Sequence, residues 1–155
     1  MSVHFLDSSA LVKRYVTEPG SAWIRRITAP AARNHIIITH VTWVETLSAL
    51  ARRRREGSLS STDVTQVIRN LRHDFNTQYQ VAEVNRQLVE KAGDLVLHHP
   101  LRAYDAIQLA AAMQIHEALT EAGTAPLVFA SADDRLVAAA QAEGLAAENS
   151  NLYPD

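Results

Sequence analysis

Short apolar runs alternate along the chain with longer segments in which apolar residues recur at helical spacing. Residues 3–6, 35–39 and 127–130 are runs typical of strands buried on both faces, because each is too short for a buried helix. Residues 80–84 are predicted as a brief strand and residues 145–147 as an edge strand. The pattern therefore predicts a sheet of about four to five strands.

Segments with helical periodicity separate these runs. A first helix is predicted over residues 10–16, with Ser8 or Ser9 as its cap, and Ser21 caps a short second helix. The further predicted helices cover residues 42–55, 61–74, 85–97, 102–119 and a last segment from Ser131 to Gly144. Because strands alternate with helices, we predict an α/β fold, a three-layer α/β/α sandwich around a mainly parallel central sheet.

The composition fits a single domain over residues 1–155. At this length, a hydrophobic content of 47% can enclose a core without disulfides or metals as staples. The absence of cysteine excludes disulfide frameworks, thiolate zinc sites and cysteine nucleophiles, and it fits a reducing compartment, with the cytoplasm expected. We expect neither a signal peptide nor a membrane anchor. With a formal net charge of -2, any contact with nucleic acid is expected to be local.

Four acidic residues stand close to the ends of predicted strands or at the starts of predicted helices. Asp7 ends the first strand, Glu45 lies near the start of the helix after the second strand, and Asp133 follows the last buried strand. Asp105 opens the Ala-rich helix. In an open parallel sheet, ligands bind beyond the carboxyl ends of the strands, because loops and helix N-termini converge there. We therefore expect the four carboxylates at one site.

A cluster of four carboxylates implies a bound metal ion. Carboxylates packed closely repel one another and raise each other's pKa values, unless a divalent cation supplies the compensating charge. With no cysteine and no paired histidines at ligand spacing, the donors are all oxygen, which favours Mg²⁺ or Mn²⁺ over zinc. Such ions activate water and stabilise charge during phosphodiester cleavage.

Some of these acids also have a purely structural interpretation. Thr42-x-x-Glu45 has the form of a capping box, in which Glu45 only reaches back to the Thr42 backbone. Asp105 at a helix start is favoured by the helix dipole alone. Asp7 directly follows a buried strand, where an unpaired charge is costly, so the functional interpretation is the stronger one for it.

Two neighbouring acids compete for the fourth position. Ser131-x-x-Asp134 has the form of a helix cap, with Ser131 as the cap and Asp134 as its partner. This arrangement would leave Asp133 free to face the site.

Four segments resemble, in order, the motifs of one known family. FLDSSALVKRYVTEPGS is similar to its first signature, an acid followed by a small residue, a serine and a helix. VTWVETLSAL, LRAYDAIQLAAA and FASADDRLVAAAQAEGL resemble its second, third and fourth motifs. The family is the PIN domain, and within it the VapC-type toxins of bacterial toxin–antitoxin pairs. The resemblance covers nearly the whole chain.

The resemblance implies a toxin that inhibits translation and growth as an endoribonuclease, using a metal-activated water and no covalent enzyme intermediate. The residues that match the family's metal-binding carboxylates and supporting hydroxyls are Asp7, Glu45, Asp105 and Asp133, and Ser9 and Ser131. Asp134 would then be a bystander. The family also implies a homodimer and a VapB-type antitoxin whose peptide tail covers the acidic cleft, often with an arginine among the carboxylates.

A few basic residues are candidates for contact with the RNA backbone. Arg52 lies two turns beyond Glu45, about 10 Å along the helix axis and on nearly the same face. Lys13 and Arg14 are candidates of the same kind. Residues 52–55 are equally typical of an ordinary solvated helix end that complements the helix dipole.

Two other functions compete with that of a ribonuclease. Aspartyl-phosphate phosphatases also place an acid after the first strand of a similar sheet, but they need a second acid two residues later, where this chain has Ser9. The non-enzymatic alternative is a catalytically inactive PIN-like module with an RNA-binding or regulatory role. Retention of all four acids argues against it.

Overall fold

The computed structural model describes residues 1–153. Its strands are Val3–Leu6 (β1), His35–Thr39 (β2), Gln80–Ala82 (β3), Leu127–Ser131 (β4) and Ala146–Asn149 (β5). Its α-helices are Ser8–Tyr15 (α1), Ser21–Thr28 (α2), His40–Arg55 (α3), Ser61–Thr77 (α4), Arg86–His98 (α5), Ala103–Glu121 (α6) and Asp134–Ala142 (α7). Short 3₁₀ helices cover Pro30–Ala32 and Ser150–Leu152.

The strands form one sheet in the order β3-β2-β1-β4-β5, and every neighbouring pair is parallel. The three strongly apolar strands lie in the middle, and the two weaker ones, β3 and β5, form the edges. β1 lies at the centre of the sheet, between β2 and β4. Because β1 and β4 are parallel neighbours, their carboxyl ends lie side by side. The predicted parallel sheet is confirmed.

Helices cover both faces of this sheet. Phe5 of β1 packs into a core with α5, α6 and α7, and the next residue, Leu6, packs into a second core with α1 and α2. This alternation is the period of two that a strand imposes on its side chains. A smaller apolar cluster of Val12, Leu50 and Val64 joins α1, α3 and α4. The fold is the predicted three-layer α/β/α sandwich.

The start of α1 differs from the prediction. The prediction of Ser8 or Ser9 as the cap is wrong, because Asp7 itself is the N-cap and its side chain accepts a hydrogen bond from the backbone N–H of Ala10. β1 passes into α1 with no intervening loop, so the last residue before the helix takes the capping role.

The start of α3 differs in the same way. The helix begins at His40, and Thr39 is its N-cap in a capping box with Thr42. The structural interpretation of Thr42 and Glu45 as a capping box is therefore wrong. The consequence is that the carboxylate of Glu45 is free for other contacts.

Within residues 1–153, no helix combines the length and the apolar character needed to cross a membrane.

Candidate active site

A cavity of about 910 Å³ opens at the carboxyl edge of the sheet, between α1, α3 and the starts of α6 and α7. The four predicted acids, Asp7, Glu45, Asp105 and Asp133, all line it. The structure therefore brings together carboxylates that four separate segments of the chain supply.

Asp7 is the most deeply buried of these acids, with 4% of its surface exposed. Its Oδ1 accepts hydrogen bonds from the Ser9 hydroxyl at 2.7 Å and the Ala10 amide at 2.9 Å, and its Oδ2 accepts one from the Ser131 hydroxyl at 2.7 Å. Burial raises the pKa of Asp7 to about 6, the three hydrogen bonds oppose the rise, and the charge of Glu45 adds to it. Removal from water therefore outweighs the hydrogen bonds, and a nearby cation would stabilise the carboxylate.

Glu45 is held by a buried amide. Its Oε1 accepts a hydrogen bond from Nε2 of Gln108 at 2.7 Å, and its Oε2 accepts one from the Ser8 hydroxyl at 3.3 Å. Nε2 of Gln108 also donates to the Thr42 hydroxyl at 3.0 Å. Burial raises the pKa of Glu45, and the charge of Asp105 raises it further, whereas the two hydrogen bonds oppose the shift.

Asp105 lies in the first turn of α6, half-buried at the cavity wall. Burial raises the pKa of Asp105 and the charge of Asp133 adds to the rise, while the charge of Arg102 lowers it. An N-terminal helix position favours a carboxylate through the helix dipole, as the structural interpretation requires. In this fold, the same position also places Asp105 in the acidic cavity.

The start of α7 separates Asp133 from Asp134. The predicted pairing of Ser131 with Asp134 is wrong, because Ser131 is still part of β4 and Asp133 is the N-cap, accepting from the Arg135 backbone N–H at 2.9 Å. Asp134 instead accepts a hydrogen bond from Nδ2 of Asn149 at 2.5 Å and does not line the cavity. Of the two adjacent acids, Asp133 is thus the one that lines the cavity.

Two serine hydroxyls lie directly behind the acids. Ser131 donates to Asp7 and accepts from the backbone N–H of Asp133 at 3.0 Å, so it contacts the carboxylate at the end of β1 and the segment after β4. Ser9 donates to Asp7 and accepts from the Ala132 backbone N–H at 2.9 Å. Both hydroxyls therefore fix Asp7 relative to the neighbouring strand.

The negative charge of one acid in the cavity acts on the pKa of another. Along the order Asp133, Asp105, Glu45 and Asp7, each carboxylate raises the pKa of the next. Their donors are all oxygen, the chemistry of Mg²⁺ and Mn²⁺ sites. Within residues 1–153, however, no three His, Asp or Glu side chains lie close enough together to hold one ion. The residues fit a hard divalent ion in chemistry and charge, and sharing one would require them to approach each other more closely.

The three candidate contacts for RNA lie in two places. Lys13 and Arg52 line the acidic cavity. Arg14 lies elsewhere, where it contacts Asp74 at 3.5 Å and donates to Oε1 of Gln78 at 2.8 Å. The structure therefore groups two of the three basic residues with the acids.

Three residues of the site were not among the predicted site residues: Gln108, Glu18 and Asn151. Gln108 follows Asp105 by three residues, so helical spacing places both on neighbouring positions of one face, and this signal was available in the sequence. Glu18 and Asn151 line the cavity as well. Neither position could be found from spacing, because Glu18 lies in the loop between α1 and α2 and Asn151 lies in a short 3₁₀ helix far along the chain.

A parallel sandwich with these acids at its carboxyl edge defines the class of fold, and sequence comparison gives the family. The chain belongs to the PIN domain family, whose model matches residues 4–142. Two relatives from Mycobacterium tuberculosis, ribonuclease VapC45 and ribonuclease VapC49, are each 28% identical over 154 residues, which is 99% of this chain and 100% of the relative.

Solved structures show the same fold at low identity. VapC20 from Mycobacterium tuberculosis, described as a sarcin-ricin loop cleaving toxin, has a TM-score of 0.63 and 16% identity, over 97% of this chain and 99% of that one. FitAcB from Neisseria gonorrhoeae has a TM-score of 0.65 and 14% identity, over 95% and 97%. VapBC2 from Rickettsia felis, bound to a DNA fragment from its promoter, has a TM-score of 0.59 and 12% identity, over 95% and 98%.

Proposed function

We propose that this protein is a metal-dependent endoribonuclease that hydrolyses RNA phosphodiester bonds, and that it is the toxin of a VapBC toxin–antitoxin pair that inhibits translation and growth. The observation that carries the proposal is that four carboxylates from separate segments of a PIN domain line one cavity. The names of the relatives, ribonuclease VapC45 and ribonuclease VapC49, support RNA as the substrate.

The residues proposed to hold Mg²⁺ or Mn²⁺ are Asp7, Glu45, Asp105 and Asp133. When bound, such an ion supplies activation of water and stabilisation of the charge that develops on the phosphate. Hydroxyl donors orient the carboxylate of Asp7, and the buried amide of Gln108 orients that of Glu45. We propose no nucleophilic side chain and no covalent enzyme intermediate.

The acidic cavity repels RNA unless cations reverse the local field. Arg52 is exposed and lines the cavity, and its side chain has no hydrogen-bond or ion-pair partner within residues 1–153, so its guanidinium is available to a backbone phosphate. Lys13 adds a second positive charge in the wall. Arg14 is paired with Asp74 and does not line the cavity, so Arg52 is the strongest of the three candidates.

Membership of the family supports a proposal about the partners. We propose a VapB-type antitoxin, which the VapBC2 assembly among the structural neighbours supports. We also propose that residues 1–155 act as a single PIN domain, that the protein forms a homodimer, and that it works in the cytoplasm.

A catalytically inactive PIN-like module is the less favoured function. Such a module needs no acids at the carboxyl edge, where like charges destabilise the fold. The raised pKa values of Asp7, Glu45 and Asp105 mean that the chain retains a set of unfavourable charges, which a catalytic use explains.

Metal-dependent cleavage mapping on total RNA tests this function and identifies the target together. We expect cleavage by the wild type in Mg²⁺ or Mn²⁺, and a loss of about 10³-fold in Asp7→Asn and Asp105→Asn, because each change removes a charge that the reaction needs. Asp134→Asn is the matched control, since this adjacent acid does not line the cavity. Cleavage by Asp7→Asn at the wild-type rate, with contamination excluded, would contradict the mechanism.

A further inference from the structure

Lys13 is a nearly buried cation in the wall of the acidic cavity, with 3% of its side chain exposed. Its Nζ donates to Oδ1 of Asn151 at 2.7 Å, to the carbonyl of Pro19 at 2.8 Å and to Oε2 of Glu18 at 3.3 Å. An ammonium group has three N–H donors, so these contacts use all of them. Lys13 is therefore an internal support of the wall and has no donor left for RNA.

Glu18 lies between two cations. One of its carboxylate oxygens contacts Lys13, and the other contacts Nη2 of Arg53. Nη1 of Arg53 donates to the carbonyl of Ala49 at 3.2 Å. A guanidinium has five N–H donors, so Arg53 keeps donors in reserve while it lines the cavity. Together the three side chains leave one positive charge beside the acids.

The segment that carries Asn151 is held firmly against the site. Nδ2 of Asn151 donates to the carbonyl of Ala132 at 3.2 Å, and the hydroxyl of Ser150 donates to the carbonyl of Ser131 at 3.2 Å. A Cβ added to Gly20 would lie 1.9 Å from the Ser150 carbonyl oxygen, so this close approach needs glycine. The segment also lies beyond residues 4–142, the part of the chain that the family model matches.

We propose that Arg53 forms a subsite for an RNA backbone phosphate next to the scissile one, and that Asn151 positions Arg53 through Lys13 and Glu18. This inference rests on the proposed function. A planar guanidinium with unused donors matches the oxygens of a phosphodiester, and its orientation must be fixed for both donors to be used. The hydrogen-bonded series from Asn151 to Lys13 to Glu18 fixes it.

Binding to RNA without cleavage tests the subsite. The probe is a fluorescein-labelled RNA hairpin, titrated with Asp105→Asn protein in Mg²⁺ and followed by fluorescence anisotropy. Adding Arg53→Ala should raise the Kd about tenfold, since one charge-assisted contact is lost, and should reduce the salt slope by about one. Arg54→Ala is the matched control, because this neighbour on α3 does not line the cavity. Equal effects of the two arginine changes would overturn the subsite.

A double-mutant cycle tests the positioning role of Asn151. Asn151→Ala should raise the Kd by about threefold, and Arg53→Ala with Asn151→Ala should bind no more weakly than Arg53→Ala alone, because residues of one network are not additive. Additive losses would overturn the positioning role, since a purely structural effect is independent of Arg53. Leu152→Ala, at an exposed neighbouring position, should have no effect.

The outcomes separate the two proposals. Cleavage of total RNA by the wild type together with unchanged RNA binding in Arg53→Ala would leave the ribonuclease function in place and remove the subsite. Weakened binding in Arg53→Ala without cleavage by the wild type would keep the subsite and contradict the ribonuclease function. Wild-type binding in Arg53→Ala with no cleavage by any variant would remove both.

Discussion

Two polar clusters lie beside α1, and they differ in how charge is balanced. In the tyrosine cluster, formed by Arg14, Tyr15, Asp74, Gln78 and Tyr79, the acid and the base are paired at 3.5 Å and each has further partners. The Tyr15 hydroxyl donates to Asp74 at 2.6 Å, and Arg14 donates to the Tyr79 hydroxyl at 2.7 Å. In the acidic cavity, by contrast, four carboxylates repel one another in series.

We interpret this difference as the one between a structural role and a functional role. Burial raises the pKa of Tyr79 to about 12, so its hydroxyl stays neutral and keeps its place in a satisfied network. Burial raises the pKa of Asp7 to about 6, which means that its ionised form is destabilised near neutral pH. The clustered carboxylates of the acidic cavity do not stabilise the fold unless a cation binds there. We therefore expect the tyrosine cluster to determine stability and the acidic cavity to determine activity.

Glu45→Gln should reduce activity as strongly as the changes at Asp7 and Asp105. The change keeps the size of the side chain but removes its charge, and we expect RNA cleavage to fall by about 10³-fold. Arg14→Gln in the tyrosine cluster should keep the wild-type cleavage rate below its melting temperature. Cleavage rates on the mapped RNA check both variants, and a comparable loss in Arg14→Gln would break the division between the clusters.

Asp74→Ala should give the largest effect on stability. It leaves Arg14 without its acid and Tyr15 without its acceptor, so the free energy of unfolding should fall by about 3 kcal/mol. Asp94→Ala, at an exposed position, is the control and should change stability by less than about 0.5 kcal/mol. Urea denaturation measures both. A loss in Asp74→Ala no greater than in the control would show that the pairing contributes little.

The pH dependence of stability should distinguish Asp7 from an ordinary surface acid. The pKa of Asp7 is raised from 3.8 to about 6 in the folded protein, so the folded state binds the proton more tightly than the unfolded state. Its contribution to stability is therefore present below about pH 4 and is lost as the pH rises through about 6. Asparagine has no such charge.

Without divalent ions, the free energy of unfolding of Asp7→Asn, taken relative to that of the wild type, should therefore rise by about 2–3 kcal/mol as the pH increases from about 3.5 to about 7.5. Denaturation in the presence of a chelator, at a series of pH values, checks this gain. A difference between the two proteins that stays constant with pH would mean that Asp7 is not under electrostatic stress.

Gln108→Leu should have a smaller effect on the same cavity. The change removes the donor to Oε1 of Glu45 while keeping a buried side chain, and we expect the cleavage rate to fall about tenfold with a wild-type Kd for RNA. Gln66→Leu, on the exposed face of α4, is a matched control for the substitution. An unchanged rate in Gln108→Leu would mean that Glu45 needs no orientation.

The acids could be predicted from the sequence because short-range rules place them. A buried strand that ends at Asp7 and a helix that opens at Asp105 are local patterns, and the parallel topology brings such positions to one edge. The caps of α1, α3 and α7 could not be predicted, since several hydroxyls and acids compete within a few residues and tertiary contacts choose among them. The predicted cap of α2 is wrong as well, because Gly20 and not Ser21 is its N-cap. Glu18 lies in a loop and Asn151 in a 3₁₀ helix of three residues, and no periodicity in the sequence predicts the course of either segment.

The direction in which each basic side chain points could not be predicted from the sequence either. Lys13 and Arg14 are adjacent on α1, and a turn of about 100° per residue sends them to different clusters. Which of the two directions faces the acids depends on how α1 packs on α3 and α4, through residues such as Val12 and Leu50.

The binding of Mn²⁺, followed through the melting temperature at about pH 7.5, tests the central claim most directly, because a ligand that binds only the folded state stabilises it. If Asp7, Glu45, Asp105 and Asp133 act as one ion site, the melting temperature of the wild type and of Asp134→Asn will rise with Mn²⁺ to saturation, and that of Asp7→Asn will not. An equal rise in Asp7→Asn, or no rise in the wild type, would contradict the account.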